Sequence, residues 1–150
     1  MRIAKAVLAD RAIRDLLTLH FEDMHASSPP GTAYVLDLAA LDREDIELFG
    51  AWRDEMLCAV GALRNHPDFA EIKSMRAHPD ARRTGAGRAL LEYLIATARD
   101  AGHGKVKLET GTGQTFEAAN ALYRSVGFEP CGPFAGYRPS DFNRFYVLEL

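Results

Sequence analysis

The segment that most restricts the fold runs from residue 69 to residue 110. It contains a strand-like run, FAEIKSMRA (69–77), a loop, a strongly amphipathic stretch over 85–101, and a second strand-like run over 105–110. In the amphipathic stretch Leu90, Leu91, Leu94, Ile95 and Ala98 recur on one helical face, Arg88, Glu92 and Arg99 fall off it, and Gly102 can end it. Two strands joined by one helix pair in parallel through a right-handed crossover. The entry to that helix is unusual. In Arg82-Arg83-Thr84-Gly85-Ala86-Gly87-Arg88 two arginines precede a Gly-x-Gly. Glycines let backbone N–H groups gather at a helix start, where the helix dipole is positive, and a phosphate or pyrophosphate suits such a place.

The rest of the chain frames this unit. Residues 2–7 read as a first strand, and Asp10 can cap a helix over 11–25 with Ile13, Leu16, Leu17, His20, Phe21 and Met24 at helical spacing. SSPPGT (27–32) breaks that helix, and a short helical turn is expected over 38–44. Strands over 46–53 and 56–64 form a hairpin across Asp54-Glu55, and 69–77 completes a meander. A helix over 115–126 stopped by Gly127, then strands over 128–134 and 145–150, close the chain. The expected fold class is α/β (α+β): a single domain over 1–150 with a mixed sheet of about six or seven strands flanked by helices.

Composition bounds the partners. Hydrophobic residues make up 47%, charged residues 26%, and the net charge is −3, which suits a globular protein without a nucleic-acid or membrane surface. Any phosphate site is therefore local. Cys58 and Cys131 lack CxxC spacing and read as reduced thiols, and no signal peptide or apolar run of about 18 residues is evident, so a cytoplasmic location is expected. The five histidines are scattered, His20 and His25 do not share a helical face, and no metal site is expected.

Three readings of the glycine turn compete. A P-loop lacks Gly-Lys-Ser/Thr. A dinucleotide-binding turn would use Glu109, 22 residues after Gly87, but position 90 is Leu rather than glycine and an antiparallel meander precedes the unit. The third reading fits best. Arg82-x-x-Gly85-x-Gly87 resembles the turn of the GNAT superfamily of N-acetyltransferases, and NALYRSVGFEP (120–130) is similar to its Asn-x-x-Tyr-x-x-x-Gly-Phe signature. MHASSPPG, LDLAAL, EIKSMRA, LETG and the final FYVLEL also resemble a bacterial subgroup of small acetyltransferases often labelled indole-acetate-type.

The resemblance implies acetyl-coenzyme A as acetyl donor, no metal, and a splayed parallel strand pair with a β-bulge at the cofactor site. The N–H groups of Arg83, Thr84, Gly85, Ala86, Gly87 and Arg88 would cradle the pyrophosphate, with charge added by Arg82 and Arg83. Main-chain groups of Met75, Arg76 and Ala77 would pair with pantetheine. Asn120 and Arg124 would bind the cofactor, and Tyr123 would bind it and protonate the departing thiolate. Glu71, interrupting the strand-like run, is the first choice for general base, and Glu109 is the second. The acceptor, a small-molecule or peptide amine, would meet His25, Ser27 and Tyr137, with His20, Glu22 and Arg138 nearby. Glu22 and Asp23 favour a cationic acceptor, Arg138 and His25 one carrying a carboxylate, and the sequence does not choose. A homodimer is expected by resemblance. The alternative is a non-catalytic module that binds acetyl-coenzyme A and regulates a partner.

Overall fold

The hydrophobic alternation of the middle third resolves into a continuous meander. In the computed structural model, which describes residues 1–150, β1 (Arg2–Lys5), β2 (Ile46–Arg53), β3 (Met56–Asn65) and β4 (Ala70–Ala77) pair in succession, all antiparallel. The β2–β3 turn is made by Asp54-Glu55, with Asp54 in the left-handed region at φ 53°, which a short polar side chain tolerates. β4 then pairs in parallel with β5 (Lys105–Gly111), β5 pairs antiparallel with β7 (Asn143–Glu149), and the short β6 (Glu129–Pro130) lies outside β7. The sheet order is β1-β2-β3-β4-β5-β7-β6.

Helices cover both faces. α1 (Arg11–Ala26) starts at Asp10, whose carboxylate accepts from the Ala12 N–H at 2.9 Å, and α2 (Leu38–Leu41) is capped in the same manner by Asp37. α1 packs Ile13, Leu16 and Leu17 against Leu48, Val60 and Ala62 of β2 and β3. On the other face α3 (Ala86–Asp100) packs Leu90, Leu91, Leu94 and Ala98 against Ala70, Ile72, Val106 and Leu108. Each fully buried leucine there contributes about 1.5–3 kcal/mol. Tyr123 of α4 (Glu117–Ser125) joins the same cluster. No helix is long and apolar enough to cross a membrane.

Two expected elements differ. The helix expected over 115–126 begins as a 3-10 turn (Gln114–Phe116) before α4 proper. The strand expected over 128–134 shrinks to Glu129–Pro130, because Pro130 and Pro133 have no N–H to continue a ladder. Only Cys131 N–H still reaches the Phe145 carbonyl, at 2.9 Å, and the chain then leaves the sheet as a loop over 132–142.

The parallel pair is splayed. β4 and β5 pair only at Ala70–Val106, Glu71–Lys107 and Ile72–Leu108. On its other side β4 bulges: Lys73 faces Ala62 and Arg76 faces Val60, so Ser74 and Met75 together oppose Gly61. Ser74 takes φ 54° to do so. Opposite the bulge, Gly61 leaves room for Met75 and Leu94, since a Cβ there would lie 2.7 Å from Met75 Sδ and 3.2 Å from Leu94 Cδ1 and make those side chains shift.

Candidate active site

A cavity of about 980 Å³ passes through the sheet where β4 and β5 diverge. Ala86, Ala119 and Leu122 line it from the α3–α4 face, and His20 and Met24 of α1 line it from the other. Three zones follow along its length.

The first zone is the start of α3. The loop from β4 makes a 3-10 turn (Pro79–Ala81), and the Thr84 hydroxyl donates to the Ala81 carbonyl at 2.6 Å, closing the approach. Arg83 at φ 63° and Gly85 at φ 84° then turn the chain into the helix. Gly85 is the N-cap and provides no side-chain cap, so the N–H groups of Ala86, Gly87 and Arg88 have no partner within the helix. A Cβ on Gly85 would meet nothing within 4 Å, and one on Gly87 only Leu122 Cδ2 at 3.8 Å. The chain's own packing therefore does not demand glycine at 87, and the space in front of these amides is open. Gly85, Ala86, Gly87, Arg82, Arg83 and Arg88 all line the cavity. Arg82 and Arg83 are exposed, while Arg88 bonds Glu92 at 3.3 Å and Ser125 Oγ at 2.6 Å.

The second zone is the splay itself. From Lys73 onward the β5-facing edge of β4 has no ladder partner, and Met75, Arg76 and Ala77 line the cavity along that edge. Tyr123 lines it from α4; burial, then the neighbouring Tyr146, push its phenol up to about 12.

The third zone holds two carboxylates. Glu71 is 1% exposed and receives three groups: His66 Nε2 at 2.9 Å, Lys73 Nζ at 3.2 Å, and the Tyr137 hydroxyl. Lys73 also donates to the Tyr137 oxygen, which closes the network. Glu109, on β5 beyond the last paired residues, is half-buried. Burial raises its pKa to about 7 against the lowering influence of Asn143 and Lys73, with Glu71 adding to the rise.

Uncapped amides at a glycine turn, a bulged strand splayed from its parallel neighbour, and a cavity joining them form one arrangement. Residues 11–128 match the Acetyltransferase (GNAT) family. The chain belongs to that family. It is 35% identical over 144 residues to YedL, an uncharacterized N-acetyltransferase of Escherichia coli (strain K12), covering 95% of this chain and 91% of that protein. It is 36% identical over 124 residues to the IAA acetyltransferase of Azospirillum brasilense, covering 81% of this chain and 80% of that protein. A Bacillus subtilis acetyltransferase solved in complex with CoA shares the fold, with a TM-score of 0.73 at 19% identity, covering 99% of this chain and 98% of that one.

Not every residue singled out in the sequence reaches the cavity of this GNAT enzyme. Thr84 acts in the loop. Asn120 is buried behind the wall: its Nδ2 donates to the Gly111 and Phe116 carbonyls at 3.1 and 2.8 Å, tying the end of β5 to the start of α4, and its Oδ1 is buried without a partner. Arg124 is exposed and donates to the Tyr146 hydroxyl at 3.2 Å. His25 is exposed and its ring lies tilted against Phe21 with centroids 4.4 Å apart; neither it nor the exposed Ser27 lines the cavity. Tyr137 stands behind Glu71 and Lys73.

Other residues arrive that the sequence reading had not given a site role. Lys73 lines the cavity, and the strand alternation that put Glu71 there carries the signal for it, since the two share a face. Ser74 lines it from the bulge with its Oγ buried and unpartnered. Thr32, Tyr34, Val35 and Leu36, from the loop after α1, line the far wall, and no local pattern announces that. His20, already expected near the acceptor, lines it from a core-facing position of α1; burial foremost, then Arg76, lower its pKa to about 4, opposed by Asp23. A histidine in the apolar stripe of Ile13, Leu16 and Leu17 is itself the clue.

Proposed function

We propose that this GNAT enzyme moves an acetyl group from acetyl-coenzyme A to an amine by direct attack in a ternary complex, with Glu109 as general base and Tyr123 as general acid. The observation that carries the reading is the single cavity running from the uncapped α3 amides, past the free edge of β4, to Glu109.

The residues fit such a donor in order. The amides of Ala86, Gly87 and Arg88, with the Arg82 and Arg83 guanidinium groups, suit a pyrophosphate, and Gly85 and Gly87 leave its approach open. The β5-facing edge of Met75, Arg76 and Ala77, which has no ladder partner on that side, suits the pantetheine amides as an added strand. An N–H freed at the bulge is suited to the thioester oxygen as charge develops there, an effect of about 2.7–4 kcal/mol. Tyr123, with its pKa raised to about 12, stays protonated across the working range and can donate to the leaving thiolate.

The order of the two candidate bases reverses. Glu71 is enclosed by Lys73, His66 and Tyr137, so a proton arriving there would have to break contacts it already has. Glu109 lines the cavity and titrates near neutrality, where a base accepts a proton and releases it again. Glu71 is thus a positioning residue that holds Lys73 and Tyr137. No observation favours a non-catalytic binding module. Detection of free thiol from acetyl-coenzyme A with a panel of amines tests the proposal: amine-dependent release is expected, and acetyl-coenzyme A binding without release to any amine would contradict it.

A further inference from the structure

What the acceptor looks like can be argued from the charges at the α1 end of the cavity, and the argument rests on the transferase reading above. Apolar and neutral side chains wall this end: Met24, Val35, Leu36 and Tyr34. Besides Glu109, three charged side chains reach it, Glu71, Lys73 and Arg76, and each already has a partner. Arg76, whose side chain is 12% exposed, pairs with the Asp23 carboxylate of α1. Lys73, at 8%, pairs with Glu71 and the Tyr137 hydroxyl. His20 adds no charge at neutral pH. Above them the Tyr137 ring meets the Tyr34 ring edge-on at 5.1 Å, and Arg138 N–H donates to the Tyr34 hydroxyl at 3.4 Å. The loop after α1 and the loop before β7 therefore touch over this end, which narrows the approach for an extended chain.

The opposed hints in the sequence are resolved by these pairings. Asp23 is engaged by Arg76, and Glu22, His25 and Arg138 are exposed outside the cavity wall. An acceptor carboxylate brought here would find no unpaired cation unless it displaced Asp23 or Glu71. A second ammonium would find no free carboxylate, because Glu71 and Asp23 are engaged and the first would occupy Glu109. Burying a charge without a partner is strongly unfavourable.

We propose that the acceptor is a small primary amine with an uncharged, apolar body, and that the Asp23–Arg76 pair rejects amines that carry a carboxylate. Thiol release from acetyl-coenzyme A is measured with a matched pair, phenethylamine and phenylalanine, and with spermidine and a short neutral peptide. In the wild type kcat/KM for phenethylamine should exceed that for each of the others by about a hundredfold. Asp23→Asn leaves Arg76 uncompensated in the wall and should raise the phenylalanine-to-phenethylamine ratio by about tenfold. A shift in melting temperature on adding acetyl-coenzyme A shows that the variant is folded. If it does not fold, the wild-type ratios decide alone. Phenylalanine, spermidine or the peptide matching phenethylamine in the wild type would overturn the acceptor class. An unchanged ratio in folded Asp23→Asn would overturn the role of the pair. Release with none of the four while the wider amine panel still gives release would overturn this inference alone, and no release with any amine would overturn the transferase reading with it.

Discussion

Glu71 and Glu109 sit on neighbouring parallel strands, two residues of register apart, and end in opposite states. Glu71 pairs in register with Lys107 where the strands are still hydrogen-bonded, and its carboxylate is enclosed by Lys73, His66 and Tyr137. Glu109 lies just past the last parallel pair, where β4 has bulged away, and burial outweighs Asn143 and Lys73 and lifts it to about 7. The difference teaches that the splay, more than residue type, assigns the roles. Both carboxylates line the cavity, but before the strands part the carboxylate is held by three partners as a structural clamp, and after they part it is free enough to exchange a proton.

The sharpest way to break this comparison is to remove the clamp. Glu71→Gln leaves the Lys73 ammonium, only 8% exposed, without its carboxylate, and should cost about 3–5 kcal/mol in urea unfolding. A loss under about 1 kcal/mol would show that the network is dispensable. The corresponding change across the splay should act on chemistry instead. Glu109→Gln should lower kcat/KM about a hundredfold at pH 8, with acetyl-coenzyme A affinity nearly unchanged. Turnover kept within a few-fold would remove Glu109 from the mechanism.

Tyr123→Phe serves both sides as a reference. It should lower kcat about tenfold with little effect on acetyl-coenzyme A binding, and unchanged turnover would make the phenol a packing residue of the α3 core.

The smallest effect is a pH dependence of stability. Glu109 is raised from 4.5 to about 7 on folding, so the folded state holds its proton more tightly and stability falls as pH rises through that window. His20 is lowered from 6.5 to about 4, so its contribution runs the other way: stability rises as pH climbs from about 4 to 6.5. The two slopes oppose each other between about 4.5 and 6.5, and the wild type should be nearly flat there on their account. Glu109→Gln should expose the rising limb of His20 in denaturant titrations over this range. A curve that stays flat in the variant would show that the His20 shift is absent, and one that already rises in the wild type would show that the Glu109 shift is absent.

The sequence carried the fold in its periodicity. The α3 stripe of Leu90, Leu91 and Leu94, the Asp54-Glu55 turn and the Arg82–Gly87 loop each announce their structure locally. The edge strand after α4 was overextended because Phe128 and Phe134 look strand-like while Pro130 and Pro133 stop the ladder. At the site, local pattern could place Glu71 and Glu109 on strands facing a cleft. It could not rank them, because the difference lies in contacts that span 66 residues of chain, such as Tyr137 to Glu71. The same holds for Asp23 and Arg76, which lie 53 residues apart and meet only when α1 docks on the sheet. His25 and Ser27 looked available because their helix exit is polar, but helix rotation carries His20 and Met24 to the cavity instead.

The most direct test is the pH profile of kcat/KM at saturating acetyl-coenzyme A for the wild type, Glu71→Gln and Glu109→Gln. The wild type should show activity rising through a midpoint near 7, Glu71→Gln should keep that limb with a lower midpoint because Glu71 adds to the rise, and Glu109→Gln should lack it. A limb that persists in Glu109→Gln and disappears in Glu71→Gln would contradict the assignment of base and clamp.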